Sequence, residues 1–273
     1  MADLTDVDSH FDFGRNWLNY LEHVDDEAIA SAEQGLTKLV PAERLRGSRF
    51  LDIGCGSGLH SLAALRLGVA ELMAVDIDAE SVSATRRLLA QSPSEQVDVQ
   101  QLSVFDLDPV TLGTFDVVYS WGVLHHTGAM WAAVEKAAAL VRPGGILAIA
   151  LYRRTFACPA WRIEKRVYTR SPKTVRAAIR AAYTALSIAS LPLSGTNPIS
   201  HIRNYKSKRG MNYFNDIDDW LGGYPYESAS PAEVVTKLRQ LGFEPFLDHP
   251  SRPPKGWGIF GTGCAEYSFA KVA

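Results

Sequence analysis

Residues 49–58 read Arg-Phe-Leu-Asp-Ile-Gly-Cys-Gly-Ser-Gly. Phe50 to Ile53 is a short apolar run of the kind that fills a buried parallel strand. It leads straight into glycines at alternate positions, Gly54, Gly56 and Gly58. Leu59 to Leu65 then carries a helical apolar pattern. Strand, glycine turn and helix, in that order, make the nucleotide-binding corner of a doubly wound sheet. Glycine suits such a corner because the turn is tight and a ligand must approach bare backbone. The helix start behind it offers free N–H groups. The spacing is Gly-x-Gly-x-Gly, not the Gly-x-Gly-x-x-Gly of dinucleotide sites, and Asp52 stands two residues before the first glycine.

Outward from the corner, Glu71 to Asp76 reads as a second strand, ending in an acid 18 residues past Gly58. A doubly wound site places there the carboxylate that accepts hydrogen bonds from ribose hydroxyls. Asp78 reads instead as the N-cap of a helix over 79–89. Val97 to Leu102 alternates as a third strand, followed by Ser103-Val104-Phe105-Asp106, and Asp108 reads as a turn residue before proline. Phe115 to Gly122 is a fourth strand, and Val123-Leu124-His125-His126-Thr127-Gly128 follows it. A helix over 129–141, a turn at Arg142-Pro143-Gly144-Gly145 and a fifth strand over Ile146 to Tyr152 come next.

With its motifs in this order, the chain resembles the class I S-adenosylmethionine (SAM)-dependent methyltransferases, and residues 49–58 match their motif I. The resemblance implies SAM as cofactor and S-adenosylhomocysteine (SAH) as product. It implies Asp52, Gly54, Gly56, Gly58, Asp76, Ile77 and Ser120 around the cofactor. It places Asp106 on the adenine amino group and Phe105 against the adenine ring. The implied fold is α/β: a seven-stranded doubly wound sheet in the order 3-2-1-4-5-7-6, with strand 7 antiparallel. A helix over 231–241 and strands over 244–247 and 262–269 complete that set.

The stretch left over after strand five far exceeds an ordinary connecting loop of about 2–6 residues. We therefore divide the chain into an N-terminal helical lid (1–45), a SAM-binding core (46–151), an inserted, mainly helical substrate lid (152–229) and the remainder of the core (230–273). Within the insert, 160–170 and 172–188 read as helices and 192–198 as a loop. Near the N-terminus, residues 26–39 form an amphipathic helix with Ile29, Ala32, Leu36 and Leu39 on one face. It either packs on the sheet or belongs to a lid in which Phe13 and Trp17 exclude water and face the sulfonium cation. Residues 11–17, 119–131, 209–227 and 261–269 are similar to bacterial methyltransferases found in cell-surface polysaccharide and natural-product gene clusters.

Composition is that of an ordinary globular protein of 273 residues, with no apolar run long enough to span a membrane and no signal-peptide core. Cys55, Cys158 and Cys264 are too scattered for a disulfide framework, which points to a reducing, cytoplasmic setting. The overall charge of −2 hides an asymmetry, −11 over residues 1–150 against +12 over residues 151–210. Such a basic block faces an anionic partner or the acidic part of its own protein.

Because SAM is already activated, the protein must chiefly align the acceptor, exclude water and, for a hydroxyl, remove a proton. His125 and His126 are the candidate bases, since imidazole titrates near neutral pH. Neighbouring residues point different ways, so at most one faces the acceptor, and both can equally satisfy core polar groups. The segment also aligns with the Glu-Val-x-Glu-His stretch of ubiquinone-pathway O-methyltransferases and small-RNA end methyltransferases, some of which bind a divalent metal. The corresponding positions are Gly122, His125 and His126, where one ligand is absent and one is changed from Glu to His, so a metal is not expected. Tyr152 is expected to face the acceptor. Arg203, Tyr205 and Arg209 either grip an acceptor carboxylate or phosphate or pair with Asp216, Asp218 and Asp219. The expected function is O-methylation of an anionic small molecule, with no nucleic-acid partner. The alternatives are an RNA or carrier-protein acceptor, or a SAM-binding protein of the membrane surface whose apolar, basic stretch 173–193 lies on anionic lipid.

Overall fold

The computed structural model describes residues 24–90, 96–205, 213–247, 259 and 261–272. The elements run α1 (Asp26–Leu39), β1 (Arg49–Ile53), α2 (Leu59–Arg66), β2 (Glu71–Asp76), α3 (Ala79–Leu89), β3 (Val97–Gln101), β4 (Phe115–Trp121), α4 (Met130–Ala139) and β5 (Val141–Tyr152). After them come α5 (Cys158–Arg170), α6 (Lys173–Ser190), α7 (Pro198–Arg203), α8 (Tyr213–Gly222), α9 (Pro231–Gln240), β6 (Phe243–Pro245) and β7 (Cys264–Lys271).

The seven strands form one sheet in the order β3-β2-β1-β4-β5-β7-β6. The first five are parallel, and β7 runs antiparallel to both β5 and β6. The central strands are apolar because both faces of the sheet are covered. Leu51, Ile53, Val118, Leu147 and Ile149 pack on one side with Val134 and Leu238, while Phe50, Tyr119, Ile146 and Ala148 pack on the other. Helix α1 buries Ile29, Ala32, Leu36 and Leu39 in the second layer, and Ser268 on β7 donates to the carbonyl of Leu39 at 2.7 Å. The described part of the N-terminal segment is thus a packed helix. Phe13 and Trp17 lie outside the described residues.

Two local readings change. Arg142-Pro143-Gly144-Gly145 is not a turn between elements but an excursion within β5. Phe115 pairs with Val141 and Val117 with Ile146, so the strand bulges and then resumes its register. The expected loop 192–198 is also shorter. A 3₁₀ turn covers Leu191–Ser194, and α7 starts at Pro198 because Asn197 accepts from the backbone N–H of Ser200 at 3.1 Å.

Helices α5, α6 and α8 form a third apolar cluster beyond the end of β5, built on Trp161, Tyr168, Tyr213, Ile217, Leu221 and Tyr226. Polar ties hold it: Tyr168 Oη donates to Asp218 at 2.5 Å, and Arg180 pairs with the same carboxylate at 3.3 Å.

Candidate active site

In a parallel sheet, ligands bind at the carboxyl ends of the strands, where the order reverses. Here β1 and β4 flank that point. The glycine corner after β1 is left-handed at its three glycines, with φ of +78° at Gly54, +54° at Gly56 and +80° at Gly58. A Cβ on Gly54 would meet Val123 at 2.4 Å, and one on Gly58 would meet Thr85 at 2.9 Å. Glycine is therefore required at both for conformation and for space. Gly58 caps α2 without a side-chain hydrogen bond, so the first-turn N–H groups face the corner uncapped by any side chain.

Two carboxylates charge this corner. Asp76 accepts from the N–H of Gly56 and of Asp78, both at 3.0 Å, one through each oxygen. A carboxylate has about four acceptor positions, so these bonds do not exhaust it. Burial pushes Asp76 up to about 6, against the pull of those N–H groups. Asp52 is 2% exposed and accepts from Ser61 Oγ at 2.6 Å, which ties β1 to α2. Burial pushes it up to about 7, Ser61 opposes, and the charge of Asp76 adds to the rise. Asp52 thus lies beneath the corner and charges it from below. Asp78 caps α3 through Glu80 N, and Asp108 caps the turn Pro109–Leu112. Ile77 is half-buried after β2, and its carbonyl accepts from Gln101 Nε2 at 3.1 Å.

Phe105 and Asp106 lie on a 3₁₀ turn after β3, Phe105 packed partly on the core and Asp106 exposed. Ser120 is fully buried, and its hydroxyl donates to the carbonyl of Ile53 at 2.9 Å, joining β4 to β1.

The two histidines lie on a 3₁₀ turn, Leu124–His126, after β4. The segment after α8 fastens that turn. Glu227 N–H donates to the carbonyl of His125 at 3.0 Å, and Glu227 Oε2 accepts from Met130 N at 2.8 Å. His126 Nδ1 lies 2.8 Å from the carbonyl of Pro225. A carbonyl only accepts, so His126 carries a proton on Nδ1. His125 is the converse. It is fully buried, and its Nδ1 accepts from Tyr152 N–H at 3.3 Å, so the proton is on Nε2. Burial, with the charges of His126 and Lys165, holds His125 well below its ordinary value, and it stays neutral.

Tyr152, at the end of β5, stacks on His125 with ring centroids 3.8 Å apart. It also meets His126 at 5.1 Å, Trp220 at 5.4 Å and Tyr226 at 5.2 Å. The insert therefore closes over the histidines with aromatic rings.

Of the three residues expected to grip an anion, two are among the described residues. Tyr205 Oη donates to Asp216, which is the structural alternative. Arg203 is exposed on the last turn of α7, and Arg209 lies outside the described residues. Instead the insert contributes Lys165, fully buried on α5 with Nζ 3.7 Å from the Trp220 ring centroid. The sequence signal for it was present. Trp161, Lys165 and Tyr168 share one face at i, i+4 and i+7, so the lysine falls on an apolar stripe. Among the described residues, no group of three or more His, Cys, Asp or Glu could hold a metal ion.

Comparison with known proteins agrees with this geometry. Residues 51–149 match the family model described as "Methyltransferase domain". The core is a class I SAM-dependent methyltransferase domain. This domain is similar to the ubiquinone biosynthesis O-methyltransferase of Xanthomonas campestris pv. campestris (strain B100), 40% identical over 111 residues, 41% of this chain and 46% of that protein. The corresponding protein of Xanthomonas euvesicatoria pv. vesicatoria (strain 85-10) is 39% identical over the same length. The match thus spans about half the length of these curated relatives. Among solved structures, magnesium protoporphyrin IX methyltransferase from Synechocystis PCC 6803 with bound SAM has a TM-score of 0.52 at 14% identity, covering 90% of this chain and 80% of that one. The 1,6-didemethyltoxoflavin-N1-methyltransferase of Burkholderia thailandensis has a TM-score of 0.51 at 20% identity, covering 91% and 80%. At such identities these two share the methyltransferase domain's fold.

Proposed function

We propose that this protein transfers the methyl group of SAM to an oxygen of a small-molecule acceptor. The observation that carries the reading is the glycine corner with Asp76 poised on Gly56 N–H. SAM fits it. The remaining acceptor positions of Asp76 suit vicinal ribose hydroxyls, the bare backbone of Gly54 to Gly58 admits close approach, and two carboxylates favour a cation. Asp106 and Phe105 are placed in this reading beside the adenine.

When bound, SAM supplies a methyl group on a sulfonium whose departure needs no proton. The chain's own residues do the rest. Tyr152, Trp220 and Tyr226 wall the acceptor side and exclude water. His126 takes the acceptor's hydroxyl proton at Nε2, and Pro225 stabilises the resulting imidazolium through the bond to Nδ1. His125 remains neutral and offers Nε2–H as a donor. Oxygen is favoured as the acceptor atom by the named activity of the ubiquinone biosynthesis relatives.

A small acceptor is favoured over RNA because several basic side chains of the insert are engaged internally. Arg154 pairs with Glu233 at 2.6 Å, Arg180 with Asp218 at 3.3 Å, and Arg162 donates to the carbonyl of Tyr226 at 3.3 Å.

Calorimetric titration tests the cofactor half of the proposal. SAM and SAH should bind the wild type, and Asp76→Ala should weaken both about tenfold or more, as loss of a charged hydrogen-bond acceptor does. A wild type that binds neither nucleoside would sink the reading.

A further inference from the structure

We propose that the insert and the histidine turn form a carboxylate-binding subsite for a flat aromatic acceptor, with Lys165 Nζ, His125 Nε2–H and Trp220 Nε1–H as its donors. The inference rests on the methyltransferase reading and names the acceptor class for that site.

Lys165 is fully buried, and its Nζ has no hydrogen-bond partner among the described residues. Burying an ammonium group without partners is costly. The rings of Trp220 at 3.7 Å, Tyr226 at 5.5 Å and Trp161 at 5.9 Å support its charge, but a ring face leaves the three N–H donors largely unused. Trp220 presents its face to Lys165, and its own indole N–H is also buried without a partner. His125 Nε2 is the third such donor. Tyr152 links them, 3.8 Å from the His125 ring and 5.4 Å from Trp220, and the charge of Lys165 is felt at His125.

Glu164, next to Lys165, has both carboxyl oxygens buried and unpartnered. Burial drives Glu164 toward its protonated form and Lys165 toward its neutral one, while the charge of each opposes that shift in the other. Buried donors are nearly always paired, so several unpaired in one cluster call for acceptor oxygens from outside the chain. A carboxylate supplies two oxygens with about four lone pairs. The rings of Trp161, Trp220, Tyr152 and Tyr226 around these donors suit a flat aromatic partner.

The test uses benzoate and its neutral isostere benzamide, titrated into the full chain with and without SAH. Tryptophan fluorescence and the indole ¹⁵N–H resonances are read. Benzoate should bind about tenfold more tightly than benzamide, as expected for a charge-assisted pair. The Trp220 indole resonance should move. Lys165→Met should bring benzoate to the benzamide level and leave SAH affinity unchanged. Trp220→Phe, which keeps a ring and removes the N–H, should weaken benzoate about threefold. Equal binding of the two probes, no binding of either, or a benzoate preference that survives in Lys165→Met would overturn the subsite and leave ordered water as the partner of these donors. Failure of SAH to bind would remove the methyltransferase reading alone, because the ratio of the probes without SAH still decides the subsite.

Discussion

His125 and His126 are neighbours with opposite hydrogen-bond polarity. The bond from His126 to the carbonyl of Pro225 leaves Nε2 as a base, while Tyr152 N–H on His125 makes Nε2 a donor. His126→Asn keeps a donor for Pro225 and removes the base, so kcat should fall about 10²–10⁴-fold and lose its acid limb. His125→Gln keeps a distal N–H donor, so kcat should fall about tenfold at most and mainly KM should change. Equal loss in both variants would contradict the assignment. Asp52 gives a second residue-scale prediction. Its carboxyl is raised to about 7 by burial, so the fold holds a proton there that the unfolded chain releases at a lower pH. That contribution to stability is present below about pH 4 and is lost as pH rises through about 7. Asp52→Asn should therefore stabilise the free protein by about 3 kcal/mol at pH 8 and by little at pH 4, read from denaturant melts. A cation at the corner favours the ionised carboxylates, so SAM affinity should rise about tenfold from pH 5.5 to pH 8 and that of uncharged-sulfur SAH should rise less. A flat SAM profile would refute the coupling. The acids were legible from their spacing. Their burial was not, nor was the direction of each histidine, which is set by Pro225 and the backbone of Tyr152, both distant in sequence.

Among the elements, the glycine corner was fully legible, since conformation and chemistry coincide at Gly54, Gly56 and Gly58. Gly54→Ala should cost about 3 kcal/mol and weaken SAM, because its Cβ would press into Val123 at 2.4 Å in addition to the left-handed strain. Gly242→Ala has the same kind of φ, +82°, with nothing within 4 Å, and should cost only about 1 kcal/mol. Thermal melts of the pair separate contact from strain, and equal shifts would refute the close approach. The excursion in β5 was not legible. Arg-Pro-Gly-Gly is turn chemistry, and only its pairing with β4 shows that the strand continues through it. The insert's helices were visible from their periodicity, but Lys165 was not recognised as interior. A long cationic side chain normally reaches solvent, and three aromatic rings from separate segments hold this one inside.

At the scale of the whole molecule, the sheet order was legible through the family that the motifs resemble, and the structure has that order. The charge asymmetry was legible, but its use was divided: Arg154 holds the insert to α9, and Arg180 ties α6 to α8 within the insert. Acceptor KM should therefore change less than about threefold between low and physiological salt, where an RNA acceptor would lose orders of magnitude in affinity. Among the described residues no helix is long and apolar enough to cross a membrane. The most direct measurement follows the methyl group itself. The protein is incubated with methyl-labelled SAM and an extract of its source organism, and the extract is separated into small molecules, RNA and protein. Label should enter a small acid as an O-methyl group and should vanish with His126→Asn. Label in RNA or protein, or no label despite SAM binding, would contradict the proposed function.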